Sequence, residues 1–102
     1  MAGPAGRTYF LWPLTLGTYV VGGMPAPVSD ALAEFGARVR ARRNEMGLSQ
    51  EGLADQSGLH WTFVGQVERG QRNLSLHNLL KLAAALQIDP ATLVEGLKPP
   101  PA

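Results

Sequence analysis

From Asp30 onward apolar residues recur with the period of an α-helix, and Gly, Ser and Asp cut the pattern into short lengths. Ser29 or Asp30 is placed to cap a first helix through ALAEFGARVRARRNEM. There Leu32, Phe35, Val39 and Met46 recur at roughly helical spacing, Arg38, Arg40 and Arg42 occupy other faces, and Gly47 is the stop. Ser49 caps a short helix QEGLADQ, Gly58 turns the chain, and a second short helix fits WTFVGQVER before Gly70 ends it. Ser75 caps LHNLLKLAAAL, whose Leu76, Leu79, Leu80, Leu82, Ala83 and Leu86 predict a broad apolar face. In DPATLVEG, Asp89 is a capping residue and Pro90 stands at the first helical position, which starts a last short helix that KPPPA cannot continue. No strand pattern competes after residue 30 and every link is short, so the expectation is an all-α, compact five-helix domain.

The region before that pattern differs in kind. Of the 17 charged residues only Arg7 precedes Asp30, so residues 30–102 hold eight basic and eight acidic side chains. The expected organisation is an N-terminal extension over 1–28, the helical domain over 29–98 and a proline-rich tail over 99–102. The apolar stretch from Tyr9 to Val21 admits three readings. As a targeting segment it is interrupted by Pro13 and Gly17, diluted by Thr15 and Thr18, and not followed closely by a clean small-x-small cleavage site. It is also shorter than the ~20 apolar residues of a membrane span. The other readings are a weak strand or partner segment, and a disordered extension with Met24 as the start of translation.

Composition narrows the function classes. A chain of 102 residues, 45% hydrophobic and 17% charged, has room for one small core. A formal net charge of +1 neither announces nor forbids a polyanionic partner. With no Cys there is no disulfide, thiolate metal site or cysteine nucleophile, and a reducing cytoplasm is the unstrained default. His60 and His77 fall in different predicted helices without a paired carboxylate motif, so no metal is expected, and their plain reading is a helix-terminal or surface histidine. No nucleophile with a base and no phosphate-cradling glycine motif is present, so neither an enzyme nor a cofactor or small-molecule ligand is expected.

The informative stretch is Gln50 to Arg69. Two short helices joined by a tight turn need a small residue where they touch, a glycine at the turn and apolar residues locking the second helix onto the first. Ala54, Gly58, Leu59, Val64 and Val67 meet these demands in order, which leaves Trp61, Thr62 and Gln66 pointing outward. With GLSQ, VERG and a closing LLKLAAALQIDP, the chain resembles the Cro/CI-like, or XRE-type, helix-turn-helix regulators. GLHWTFVGQVERGQRNLSL is similar to the subgroup of restriction-modification controller proteins.

The resemblance implies a lambda-repressor-like DNA-binding domain, with roles carried over position by position. Ser49 and Gln50 fall where relatives contact phosphate, at a helix N-terminus suited to anions. His60, Trp61, Thr62 and Gln66 fall on positions that enter the major groove, and Gln71, Arg72 and Asn73 on the loop that follows the backbone. Arg43 and Glu68 match a pair that ties the first helix to the end of the recognition helix. Three positions depart from the family pattern. Trp61 stands where the subgroup carries Arg, so the fork that binds guanine O6 and N7 is missing. Phe63 replaces a common Tyr and loses its hydroxyl. Gly52 replaces Glu, at a cost of ~1 kcal/mol in helix propensity, so the second helix is expected to fray more easily.

The function so implied is a sequence-specific DNA-binding transcription regulator in the bacterial cytoplasm, with double-stranded DNA as partner and no membrane. A short recognition helix touches few base pairs, so a homodimer on a palindromic operator is expected, and Leu93, Val94 and Leu97 are candidates either for its seam or for closing the monomer core. Plainer readings stand beside these. Trp61 also suits a protein interface, Arg38, Arg40 and Arg42 suit a solvated face, and the zero net charge of residues 30–102 suits a protein-interaction or antitoxin-like module on the same fold.

Overall fold

The computed structural model describes residues 20–21 and 24–101. The expectations for residues 1–19 lie outside them. A short antiparallel pair, β1 (Val20–Val21) with β2 (Met24–Pro25), sets Val20 opposite Pro25 and Val21 opposite Met24. Five helices follow: α1 (Asp30–Glu45), α2 (Gln50–Ser57), α3 (Trp61–Glu68), α4 (Leu76–Ala85) and α5 (Pro90–Val94).

Each helix begins on a side chain that accepts a backbone N–H which the helix itself cannot satisfy. Ser29 Oγ accepts from Leu32, Ser49 Oγ from Gly52 and Ser75 Oγ from Asn78, while Asp89 Oδ1 accepts from Ala91 ahead of Pro90. The α1 cap is therefore Ser29, with Asp30 in the first turn. His60, which does not advertise itself as a cap, begins α3 by accepting the Thr62 N–H on Nδ1 at 3.1 Å.

The core gathers Phe35 and Val39 of α1, Leu53 and Ala54 of α2, Val64 and Val67 of α3, Leu82, Ala83, Ala85 and Leu86 at the end of α4, and Leu93 of α5. The apolar face of α4 is narrower than its sequence pattern implies. Leu76 and Leu80, four residues apart and so on one side of the helix, are 71% and 46% exposed, because no element among the described residues covers that side. Two of the three α1 arginines expected on a solvated face hold the far helices instead. Arg42 Nε donates to the Leu86 carbonyl at 2.9 Å and Arg38 Nη1 to the Glu95 carbonyl at 2.7 Å, each placing a cation on carbonyls at a helix C-terminus.

The backbones of α1 and α3 approach closely at a glycine. At Gly36 a Cβ would lie 2.2 Å from the Val67 carbonyl oxygen and 2.6 Å from that of Glu68. Here the space occupied by one methyl group decides whether the two helices touch. Gly36→Ala should improve helix propensity by ~1 kcal/mol, yet it forces rigid backbone apart, which typically costs 1–3 kcal/mol or more. The expected net result is a lower Tm in thermal unfolding followed by circular dichroism. A Tm equal to or above wild type would show that α1 and α3 have room to separate.

Candidate nucleic-acid interface

The link between α2 and α3 is tight because one carbonyl holds it. The Ala54 oxygen accepts the Gly58 N–H at 2.9 Å, the Leu59 N–H at 3.1 Å and the Ser57 hydroxyl at 3.3 Å. Gly58 completes the turn at φ 73°, a left-handed conformation that costs other residues about 1 kcal/mol or more. Ala54 is buried at the junction, as its small size requires.

With Val64, Gly65, Val67 and Glu68 buried, α3 turns Trp61 and Thr62 to solvent and leaves Gln66 half-buried. Trp61 is 54% exposed, and its ring stacks on His60 with centroids 5.9 Å apart and planes 24° from parallel. Phe63 packs against the core and lies under the Arg72 guanidinium, 5.0 Å from its ring centre, a cation–π contact that ties the loop after α3 to the helix.

The inner end of α3 is fixed by charge. Arg43 meets Glu68 as a two-pronged pair, Nε to Oε2 at 2.5 Å and Nη2 to Oε1 at 2.9 Å, with the Glu68 side chain 1% exposed. The remaining Arg43 nitrogen donates to the Leu48 carbonyl at 2.8 Å, and Gln50 Nε2 donates to Glu68 Oε1 at 3.0 Å. The hydrogen bond with Glu68 raises the Arg43 pKa above its ordinary value, against the opposing effect of burial. Gln50, expected on phosphate, is thus half-buried with its amide nitrogen engaged inside the protein.

Past Gly70 the loop is held by the segment before α1. The Val28 N–H donates to the Gly70 carbonyl at 2.8 Å. Gln71 is engaged at both ends, accepting from Arg69 Nε at 3.2 Å and donating to the Pro25 carbonyl at 3.1 Å. Gly70 has φ 74°, and a Cβ there would lie 2.8 Å from the Ala33 Cα and 3.1 Å from Pro27. Residues 25–28, assigned from composition to the extension, therefore make contacts of the domain. Arg72 and Asn73 remain exposed, as does Ser49, whose oxygen already accepts the Gly52 N–H.

Of the three seam candidates, Leu93 is 1% exposed because it closes the core of the domain. Leu97 packs half-buried against that core, and Val94 is 40% exposed. Among the described residues no cluster of three or more His, Cys, Asp or Glu could hold a metal, and no helix is long and apolar enough to cross a membrane.

A tight turn between two short helices, with the second locked inward by Val64 and Val67 and its outer side open, is the geometry of one family, whose model matches residues 39–93. The chain belongs to the helix-turn-helix family. Its helix-turn-helix relatives include control protein C.SmaI of Serratia marcescens, 47% identical over 73 residues, which are 70% of this chain and 83% of the relative. Among solved structures it is similar to the restriction-modification controller protein C.AhdI from Aeromonas hydrophila, with 60% identity and a TM-score of 0.60 over 61% of this chain and 94% of that one. It is also similar to the P22 c2 repressor in complex with a synthetic operator, with 35% identity and a TM-score of 0.57 over 61% of this chain and 94% of that one. The expected helix-turn-helix fold, close to restriction-modification controllers, is the fold observed.

Two stability tests follow from the supports of α3. Glu68→Ala leaves the Arg43 charge buried without a partner, which typically costs ~3–5 kcal/mol. A strongly lowered urea midpoint is expected, and an unchanged one would mean that the pair contributes nothing. A chain beginning at Met24 should melt with the full chain, whereas one beginning at Ser29 loses the Val28–Gly70 and Pro25–Gln71 bonds, ~1 kcal/mol each at most. A Tm lower by ~5 °C is expected for the shorter form, and equal melting of the two would show that residues 25–28 do not support the loop.

Proposed function

We propose that this protein is a DNA-binding transcription regulator that lays α3 in the major groove as a homodimer on a palindromic operator. The observation that carries this reading is the division of α3. Its inner side is locked by Val64, Val67 and the Arg43–Glu68 pair, while Trp61 and Thr62, with half-buried Gln66 behind them, face outward. A helix held rigidly along one side and polar on the other is what reading base edges requires.

In this reading Gln66 and Thr62 contact base edges with His60 and Trp61. Arg72, Asn73, Ser49 and Gln50 lie along the phosphates, Gln50 through the second amide hydrogen that its bond to Glu68 leaves free. Gln71, held between Arg69 and Pro25, positions the loop. Two copies related by a two-fold axis present their α3 helices about one DNA turn apart, ~34 Å. With Leu93 inside the core, the exposed apolar groups available for a symmetric seam include Val94 on α5, with half-buried Leu97 after it, and the Leu76–Leu80 side of α4. Such a regulator works where the DNA is, in the bacterial cytoplasm.

The test separates positioning from readout on a duplex enriched from random-sequence DNA by the full-length protein. Arg72→Ala should weaken all duplexes nearly alike and flatten the salt dependence by about one unit of slope, since one fewer phosphate is neutralised. Gln66→Ala and Thr62→Ala should relax preference at one or two positions by ~1–3 kcal/mol, because glutamine can bind adenine through two bonds and the threonine methyl can meet that of thymine. If folded Gln66 and Arg72 variants both bind like wild type, α3 does not enter the groove and the fold serves a protein-interaction module.

A further inference from the structure

We propose that His60 and Trp61 act as one unit that reads a thymine, the imidazole donating to O4 while the indole packs on the C5 methyl. This rests on the reading above, in which the N-terminal end of α3 enters the major groove.

The hydrogen bond that caps α3 fixes the state of His60. A nitrogen that accepts a backbone N–H carries no hydrogen of its own, and Nδ1 accepts from Thr62 at 3.1 Å. The neutral ring therefore has its single hydrogen on Nε2, so that the exposed imidazole offers a donor and no further acceptor. The cap that starts the helix thus selects the tautomer. The Trp61 indole is 54% exposed and stacks on the imidazole with ring centroids 5.9 Å apart, so the apolar surface and the donor adjoin as one plate.

What borders this plate decides between backbone and base. His60 and Trp61 form one wall of an open groove of about 370 Å³, whose other lining residues are Glu51, Ala54, Asp55 and Leu59. Glu51 and Asp55, four apart on α2, place two carboxylates beside the plate, and a phosphate would be repelled there. A base edge would not. Among the major-groove edges, guanine offers two acceptors without a methyl, adenine sets its N7 acceptor beside an amino group, and cytosine presents an amino donor. Thymine alone has an acceptor next to a methyl group. An indole at position 61 offers no guanine fork and completes a thymine-compatible plate instead.

The experiment uses the full-length protein and the duplex enriched from random-sequence DNA. Each thymine is replaced in turn by uracil, which removes only the methyl. The expected result is one thymine per half-site at which wild type weakens about fourfold, the worth of one buried methyl, while Trp61→Ala binds the thymine and uracil duplexes alike. Replacing that T·A pair by 5-methylcytosine·guanine keeps the methyl but turns the O4 acceptor into an amino donor. Wild type should then lose roughly tenfold. His60→Asn, which preserves a helix cap, should be less sensitive to that exchange.

Wild type binding the enriched duplex tightly, yet indifferent to uracil at every thymine, would overturn the thymine reading and leave DNA binding intact. This arm needs no variant to fold. Uracil sensitivity retained in full by Trp61→Ala would overturn the role of the indole. Failure of folded wild type to enrich any duplex would remove the DNA reading and this inference together.

Discussion

The buried pair of Arg43 and Glu68 is the constraint on which the rest of the molecule depends. A carboxylate 1% exposed at the end of α3 is tolerable only if every lone pair facing the interior is met, and Arg43 and Gln50 meet them. Because the guanidinium fork is planar and matches a carboxylate in one orientation, the pair sets the rotation of α3 about its axis as well as its distance from α1. Hydrophobic contacts at Val64 and Val67 supply attraction but tolerate small rotations that this fork does not. Arg43 also binds the Leu48 carbonyl, so the turn into α2 is located by the same side chain. One arginine therefore relates three helices.

The supports of α3 are concentrated at its C-terminal half. Gly36 admits the Val67 and Glu68 carbonyls against α1, the charge pair lies beside them, and the Val28–Gly70 bond follows one turn later. Toward the other end the helix is held by Val64 and Phe63 against the core, the Gly58 turn and the His60 cap. The helix is thus anchored at the end facing the core and projects Trp61 and Thr62 from the end facing solvent. This arrangement suits the proposed role, since a reading end must be free of the protein's own packing while being held in place by it. It also means that forces on the loop after Gly70, where Gln71 and Arg72 lie, act on the anchored end.

The order of helices, the serine and aspartate caps, the Gly58 turn and the buried valines of α3 were legible in the sequence because each rests on a local rule: a period, a short polar side chain, a residue without Cβ. The features that escaped depend on what lies opposite. Gly36 reads as a blemish inside a helix until the Val67 carbonyl is seen against it. Arg38 and Arg42 follow the spacing of a solvated face, and only the folded chain brings the ends of α5 and α4 within their reach, 57 and 44 residues away. Periodicity likewise marks Leu76 and Leu80 as apolar without saying that no element among the described residues lies on them. Leu93 and Val94 are neighbours of equal hydrophobic character whose fates differ because successive helical residues point about 100° apart. At the candidate site, the outward placement of Trp61 and Thr62 could be read in advance. The engagement of Gln50 and Gln71 inside the protein could not, since their partners, Glu68 and Pro25, are remote in sequence.

Charge shapes how such a domain must discriminate. Residues 30–102 carry as many acidic as basic side chains, so the whole-domain field offers little general attraction to a polyanion. Several of the positive charges are also engaged: Arg43 with Glu68, and Arg38 and Arg42 on helix ends with Glu34 and Glu45 as partners. What remains near α3 is Arg72, held over Phe63, and Arg69, bonded to Gln71. Weak phosphate attraction lowers binding to all sequences together, and base contacts then form a larger share of the total. A plate that senses a methyl group contributes little to affinity by itself, but against a low background its contribution counts in full toward selectivity. In the proposed homodimer a second copy would double the base contacts, and two half-sites read together would multiply the selectivity of one.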